Sequence, residues 1–129
     1  MYFYGKEIKD KIYNGADCES CRFEDLTITT GMDNINFNIS NIINLSAKET
    51  YIDSITFTEG FIDDSNFAGT IFNNCVFKEA DFAKDIFNNV KFINCKLTNV
   101  SFDRCETENI KFEECKLSNV DINEVTIDA

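Results

Sequence analysis

Large apolar side chains recur at every fifth residue through most of this chain. From Phe37 onward, seventeen of nineteen such positions are large and apolar, the exceptions being Ala47 and Thr107. Helical faces repeat near 3.6 residues and strand faces repeat every two, so neither regular element explains the pattern. The positions are Phe37, Ile42, Ala47, Ile52, Phe57, Ile62, Phe67, Phe72, Phe77, Phe82, Phe87, Phe92, Leu97, Phe102, Thr107, Phe112, Leu117, Ile122 and Ile127.

A second inward position lies two residues before each of these centres. It is mostly small or apolar, as at Cys75, Ala80, Val90 and Cys95. Each group of five residues, or pentad, therefore directs two side chains inward and three outward. This arrangement predicts a short extended stretch followed by a corner.

A longer period gives the number of corners in one turn. Residues 89–100 and 109–120 match at eight of twelve positions, at an offset of twenty residues. Twenty residues are four pentads, so the pattern predicts a square coil whose turns stack through main-chain hydrogen bonds, roughly 4.8 Å apart. We call the four sides faces A to D. Their pentads are centred on Phe77 and Leu97 (face A), Phe82 and Phe102 (face B), Phe87 (face C), and Phe72 and Phe92 (face D).

Runs such as residues 80–84 (ADFAK) and 95–99 (CKLTN) follow the order small, polar, Leu or Phe, any, any. This motif resembles the pentapeptide-repeat family, and the resemblance covers residues 35–129 without a break. It implies an all-β fold, a right-handed quadrilateral β-helix with Phe or Leu stacked along its axis. We expect about five to six coils.

The two ends of the chain depart from this regularity. Cys18, Phe23 and Ile28 keep a five-residue spacing but lie one residue out of phase with Phe37, so we expect a distorted corner near Gly31. We expect residues 1–34 to form an N-terminal cap and irregular first coils, with 1–14 as the cap. Repeats continue to the last residue, which predicts an uncapped C-terminal end available for homodimerisation.

Composition adds a strong negative charge to this picture. The net charge is −11, from 23 acidic and 12 basic residues. Sorted by predicted face, faces B and C each total −4, whereas face D totals −1 and face A +1. The acids on face B are Asp63, Asp64, Asp81, Asp103, Asp121 and Glu124, against Lys84 and Arg104. Those on face C are Glu49, Asp85, Glu106, Glu108 and Asp128, against Lys48. Asp85 stands at the second inward position, so either its side chain bonds neighbouring main-chain amides at a local bulge or this corner opens outward.

Little in the sequence points to catalysis. Histidine is absent, which removes the commonest general base and metal ligand, and the chain has no nucleophile elbow or phosphate-binding loop. Cys18 and Cys21 form a single C-x-x-C without a second pair, so we expect inward thiols and no zinc site. Cys75, Cys95 and Cys115 recur every twenty residues and should stack as small buried side chains; a soft-metal site or one disulfide in this column is the alternative. We expect no enzyme activity, no cofactor and no metal.

The family resemblance suggests how the one-sided acidity could act. Pentapeptide-repeat proteins include DNA mimics that bind DNA gyrase and confer quinolone resistance, and phage anti-CRISPR proteins proposed to mimic DNA. This chain is shorter than the gyrase binders and lacks their dimerisation helix and inserted loop. We therefore predict an inhibitor that occupies the positively charged cleft of a nucleic-acid-binding protein, as in phage counter-defence (anti-CRISPR or anti-restriction); a topoisomerase-binding protein is the alternative. Direct nucleic-acid binding is not expected, because like charges repel.

A structural or adaptor role is a further alternative. It would use apolar residues at outward positions of the middle coils, namely Tyr51, Phe61, Ile71, Val76 and Ile86. No apolar run approaches the roughly 20 residues that span a membrane, and no signal peptide is evident. We expect no membrane association and a cytoplasmic location, which would be the host cytoplasm if the protein is phage-encoded.

Overall fold

The computed structural model describes residues 1–9 and 11–128, and residue 129, the end of the predicted regular segment, lies outside them. Within this range the secondary structure is entirely β, and no helix is long and apolar enough to cross a membrane. The strands are β1 Tyr2–Tyr4, β2 Glu7–Ile8, β3 Asp17–Glu19, β4 Arg22–Glu24, β5 Met32–Asp33, β6 Asn36–Asn38, β7 Asn41–Ile43, β8 Tyr51–Asp53, β9 Thr56–Asp63, β10 Ile71–Asn73, β11 Val76–Ala83, β12 Lys91–Ile93, β13 Lys96–Asp103, β14 Lys111–Glu113, β15 Lys116–Ile122 and β16 Val125–Ile127.

The strands stack in parallel at an offset of twenty residues. Phe57 pairs with Phe77, and Phe77 pairs with Leu97. On another side Phe72 pairs with Phe92. Because each turn takes four pentads, the chain is a right-handed quadrilateral β-helix of about five turns, and the predicted fold is confirmed. Faces A and B share one sheet through the long strands β9, β11, β13 and β15, whereas face D forms a separate sheet of five short strands.

A single left-handed residue makes each corner. From the coil of Cys18 onward, the second residue after each centre has a positive φ, and the exception is the corner after Ile28. Asn occupies eight of these corners, and φ at Asn99, for example, is 53°. Asn tolerates this conformation better than most residues, because its side chain can hydrogen-bond locally. The chain therefore turns without proline and with few glycines.

The interior is filled by columns of phenylalanine. Phe72 stacks on Phe92 with ring centroids 4.7 Å apart, and Phe92 stacks on Phe112 at 5.0 Å. Neighbouring columns meet edge to face, as do Phe82 and Phe87 at 5.1 Å. Offset stacking and edge contacts are the favoured aromatic geometries. The frequent phenylalanines of the sequence thus occupy equivalent core positions in successive coils.

The second inward position forms hydrogen bonds that tie successive coils together. At several polar residues in this position, the side chain accepts a hydrogen bond from the amide of the equivalent residue one coil earlier. Examples are Leu45 N–H to Ser65 Oγ at 3.0 Å and Cys75 N–H to Cys95 Sγ at 3.4 Å. The same hydroxyl or thiol donates to a nearby carbonyl, as Ser65 Oγ does to Asp63 O at 3.1 Å. These side chains satisfy corner amides that would otherwise be buried without a partner.

The N-terminal coils are shorter than the rest. Tyr2 pairs with Asp17, an offset of fifteen residues, and Cys18 pairs with Phe37, an offset of nineteen. The missing residue falls between Ile28 and Met32, where the sequence predicted a distorted corner. Gly31 lies there with φ +89°, and a Cβ on it would collide with the Tyr51 carbonyl oxygen. The structure differs from the expected cap, because residues 2–8 already form coil strands.

The C-terminal end also differs from the expectation. The pentad centred on Ile127 does not continue the coil. The chain reverses at Asn123 and Glu124, both with positive φ, and β16 pairs antiparallel with β15. The Asn123 side chain accepts from Cys105 N–H at 3.1 Å and donates to Cys105 O at 2.9 Å, replacing the bonds that a further coil would make. The prediction of an uncapped end is therefore wrong above face B, where a strand covers the edge.

Ile39 is an unfavourable corner residue. It is β-branched, yet it holds φ at 51°, and half of its surface is exposed, so little burial compensates for the strained backbone. We predict that Ile39→Asn raises the free energy of unfolding by about 1 kcal/mol, measured by denaturant titration. The matched reverse change, Asn44→Ile at the next corner, should lower it by a similar amount. Equal stability of the two variants would contradict this role of the corners.

Candidate protein-interaction surface

Four carboxylates form a zigzag up face B, one in each successive coil. The register places Asp63 and Asp103 in one outward column, on either side of Ala83. It places Asp81 and Asp121 in the other column, on either side of Ser101. Because the coils repeat at roughly 4.8 Å, the zigzag rises one carboxylate per roughly 4.8 Å. Part of the predicted acidic surface is thus a regular ladder.

Asp63 is the most constrained member of the ladder. It is partly buried, and its Oδ1 has no hydrogen-bond partner within the described residues. Burial raises the pKa of Asp63 above its ordinary value, and the negative charge of Asp64 adds to this effect, whereas Lys84 opposes it. Oδ1 of Asp121 is likewise buried without a partner in the described part of the chain. Two carboxylates of the ladder therefore each keep one oxygen without a hydrogen-bond donor in the described part of the chain.

The corner between faces B and C interrupts the acidic surface. Its left-handed residues are Asn44, Asp64, Lys84 and Arg104 in successive coils. The two basic residues lie level with the two middle carboxylates of the ladder, Asp81 and Asp103. The acidic surfaces of faces B and C are therefore continuous around Asp64 and are separated by Lys84 and Arg104 in the next two coils. The net charge of each face does not reveal this separation.

Face C is less acidic than the sequence indicated. Glu106 and Glu108 are exposed and lie on it, and Glu106 accepts from Asn88 Nδ2 at 3.2 Å. Asp128 lies elsewhere: it follows β16 and accepts a hydrogen bond from Asn119 N–H at the corner of faces A and B. Its assignment to face C is wrong, because the chain reverses before reaching that face. Glu124 is exposed in the turn of the same hairpin, above face B.

Asp85 points inward and contributes nothing to the surface. Only 1% of it is exposed, and its Oδ1 accepts from Ser65 N–H at 2.8 Å, the corner bond described above. Oδ2 has no hydrogen-bond partner among the described residues. Burial raises the pKa of Asp85 to about 9, and the nearby charges of Asp63 and Asp64 act in the same direction. Without Asp85 and Asp128, face C carries Glu49, Glu106 and Glu108 against Lys48, a net charge of −2.

The five outward apolar residues do not meet in one patch. Tyr51 and Ile71 are register neighbours on face D. Val76 lies on face A, Phe61 on face B beside Asp81, and Ile86 on face C between Asn66 and Glu106. Of the five, Tyr51 and Val76 are exposed and the others are half-buried. The apolar alternative therefore has no continuous surface.

The cysteines are free thiols directed inward. Cys75, Cys95 and Cys115 form the expected column, each amide bonding the next thiol at 3.4 Å. Burial raises the pKa of Cys18 and of Cys105 to about 12, so both thiols stay protonated at neutral pH. In residues 1–9 and 11–128, no group of three or more Cys, Asp or Glu side chains is arranged to hold a metal ion.

Sequence reasoning missed the polar function of the second inward position. From the sequence, serine, threonine and cysteine at that position are interpreted as small residues. In the structure the hydroxyl or thiol of each bonds two coils, except that of Thr50, which donates to Ala47 O in its own coil. The recurrence of these residue types was the available signal. This recurrence also accounts for the acidic residue Asp85 at an inward position, because its carboxylate oxygen accepts the same kind of amide hydrogen bond.

Comparison with known proteins agrees with this architecture. The family model described as a pentapeptide repeat region matches residues 65–129, half of the chain. The chain belongs to the pentapeptide-repeat family. Members of this family are generally structural or interaction proteins and not enzymes. No curated protein sequence matches the chain.

Solved structures of other pentapeptide-repeat proteins are similar at low sequence identity. HetL from the cyanobacterium Nostoc sp. strain PCC 7120, which is involved in heterocyst differentiation regulation, is 9% identical with a TM-score of 0.47, over 94% of this chain and 68% of HetL. QnrB1, a plasmid-mediated fluoroquinolone resistance protein, is 12% identical with a TM-score of 0.39, over 97% and 84%. Rfr23 from the cyanobacterium Cyanothece 51142 is 17% identical with a TM-score of 0.33, over 82% and 66%.

Asp85 should make this pentapeptide-repeat protein less stable as the pH rises. The unfolded chain loses the Asp85 proton above pH 4, whereas the folded chain keeps it to about pH 9. Between these values the folded state binds one extra proton, so its stability falls with pH, by at most about 1.4 kcal/mol per unit. Asp85→Asn retains the acceptor oxygen and removes the charge. We predict that it stabilises the protein at pH 8 more than at pH 5, as measured by thermal unfolding.

A matched control is Glu108→Gln, at an exposed carboxylate of face C that does not act on Asp85. It should change stability little at either pH. If Asp85→Asn gave the same change in unfolding temperature at pH 5 and pH 8, the buried carboxyl would not be the titrating group.

Proposed function

We propose that this protein binds a nucleic-acid-binding protein through face B and blocks its positively charged cleft. The observation that supports the proposal is the carboxylate zigzag of Asp63, Asp81, Asp103 and Asp121, with Asp64 at the adjoining corner. The parallel ladder between coils fixes the height of each charge, so no chain ordering is needed on binding. Like a nucleic-acid strand, the surface is a rigid row of regularly spaced negative charges.

The spacing supports a partial mimic of one strand. A single strand of B-form DNA carries a phosphate per roughly 3.4 Å of axis, and the face B zigzag carries a carboxylate per roughly 4.8 Å. The ladder is therefore sparser than the strand it would replace. Lys84 and Arg104 at the next corner restrict the acidic surface further. We infer that the partner contacts face B itself, and not the B and C faces equally.

Two classes of partner fit this surface. One is an effector nuclease of a bacterial defence system, which makes the protein a counter-defence inhibitor of phage origin. The other is a DNA topoisomerase, the target expected from the resemblance to quinolone-resistance proteins. Both present basic DNA-binding clefts, and we favour the first because no inserted loop interrupts the pentads between residues 35 and 122, in contrast to the gyrase binders.

Charge reversal on face B should abolish the inhibition. We predict that changing the exposed residues Asp64, Asp81, Asp103 and Glu124 to Lys weakens binding by about 100-fold or more, since like charges would then face each other. The measurement is displacement of a fluorescent DNA duplex from a purified CRISPR effector nuclease and, separately, from DNA gyrase. Circular dichroism checks that the variant keeps its β-structure.

The matched control reverses four acids on the opposite side. Changing Asp33, Asp53 and Glu113 on face D, together with Glu114 at its corner with face A, to Lys alters the net charge by the same amount. It should leave binding within a few-fold of wild type. If both variants lost binding equally, net charge and not face B would be responsible. If the wild-type protein displaced DNA from neither the CRISPR effector nuclease nor DNA gyrase, both proposed partners would be wrong.

Binding through face B should also depend strongly on salt. Raising the salt from about 0.1 M to about 1 M shortens the Debye length from about 10 Å to about 3 Å. We predict a steep loss of affinity over this range, measured by isothermal titration or fluorescence anisotropy, with most of the change in the association rate. Association that is insensitive to salt would contradict an electrostatic contact.

A further inference from the structure

Face A carries three of the seven large exposed apolar side chains of the described residues, and a fourth lies at its corner. Within the described residues the large exposed apolar side chains are those of Met1, Tyr2, Tyr4, Ile39, Tyr51, Val76 and Val125. Tyr2, Tyr4 and Val76 lie on face A, and Ile39 lies at its corner with face B. The two tyrosines are 60% and 62% exposed. Exposed aromatic residues grouped on one face are typical of an interaction surface.

Charge is segregated along the same face. The outward column before the centres reads Tyr2, Asp17, Asn36, Thr56, Val76, Lys96 and Lys116 from one end to the other. The column after the centres reads Tyr4, Glu19, Asn38, Thr58, Lys78, Thr98 and Ser118. The acids therefore lie in the N-terminal coils and the lysines in the C-terminal coils. None of these three lysines forms an ion pair within residues 1–9 and 11–128.

We infer that face A binds a second copy of this chain, side by side and antiparallel. The proposed two-fold axis runs parallel to the strands of face A and passes through the level of Thr56. It places each outward column of one copy against the same column of the other copy, with the order of the coils reversed. Lys96 then faces Asp17 of the other copy, and Lys116 faces Tyr2, a cation above an aromatic ring. Thr56 and Thr58 meet their own counterparts at the axis. The arrangement is isologous, as in the commonest class of homodimer.

Other occupants fit this face less well. A parallel arrangement would place Lys96 against Lys96 and Asp17 against Asp17, and like charges directly opposed are unfavourable. A uniformly basic or uniformly acidic partner would match one end of the face and be repelled at the other. A second copy matches both ends, and its coils have the same spacing, so every layer stays aligned.

The size of the face sets the expected affinity. Seven strands span six layer spacings, about 29 Å, and the outward part of each strand is about 10 Å wide. Even with the flanking corners, the contact belongs to the small class that buries less than about 1,200 Å², which is typical of weak and transient complexes. The dimer should therefore form at high protein concentration and dissociate on dilution.

This inference goes beyond the proposed function and does not depend on it. Face C lies opposite face A, and face B points to the side, so both acidic faces stay accessible in the dimer. The contact also differs from the end-to-end dimer expected from the sequence, because it does not use the C-terminal hairpin.

The test is a charge swap followed by sedimentation equilibrium up to about 1 mM protein. Lys96→Glu and Asp17→Lys should each weaken the dimer by about tenfold or more, because each creates like-charge contacts across the axis. The double variant Lys96→Glu/Asp17→Lys should restore the dimer, since the ion pairs re-form with reversed polarity. Restoration also shows that the single variants fold. Lys111→Glu, the same change on exposed face D, should leave the dimer intact.

Three results would overturn the inference. One is a wild-type protein that stays monomeric to about 1 mM. Another is a folded double variant that remains monomeric. The third is an equal loss of dimer from Lys111→Glu and Lys96→Glu, which would show a general effect of net charge. None of these bears on DNA displacement by face B, so the two proposals fail separately.

Discussion

The left-handed residue at the end of each side sets the length of that side. Because φ turns positive at a fixed place in every pentad from the centre Met32 to the centre Leu117, the next strand begins in the same phase throughout this region. Successive coils can then hydrogen-bond in parallel over their whole length, and Phe rings at equivalent positions stack directly. If the corners varied in length, neither the inter-coil ladder nor the aromatic columns could persist. The outward charges form columns for the same reason.

The regular part of the fold could be predicted because its signal is repeated many times. Each Phe or Leu centre is weak evidence, but their common spacing and the twenty-residue likeness of 89–100 and 109–120 leave one solution. The phase slip before Met32 was visible for the same reason. The C-terminal hairpin was not, because Ile127 keeps the pentad phase, although the consecutive left-handed residues Asn123 and Glu124 reverse the chain. A periodic pattern shows which residues are apolar, and not whether the backbone continues in one direction.

The candidate surface could be predicted in position but not in detail. Sorting residues by pentad placed Asp81 and Asp103 on face B correctly, since only the register is needed for that. Asp85 was included in the charge of face C although its position in the pentad is inward, and only the structure shows that it takes the place of serine in the coil-to-coil bond. Asp128 was misplaced together with the hairpin. The polarity of face A was also invisible in a face total of +1, because opposite charges at the two ends cancel.

The exact register between coils also limits how the chain can change in length. Removing twenty residues from the regular region would delete one layer and leave every remaining side chain on its original face. Removing five residues would rotate everything downstream by a quarter turn, moving the carboxylates of face B onto a neighbouring side. Such a protein could keep its core intact while its recognition surface is lost. Growth or shrinkage by whole turns is therefore the change that this architecture tolerates without altering what it presents to a partner.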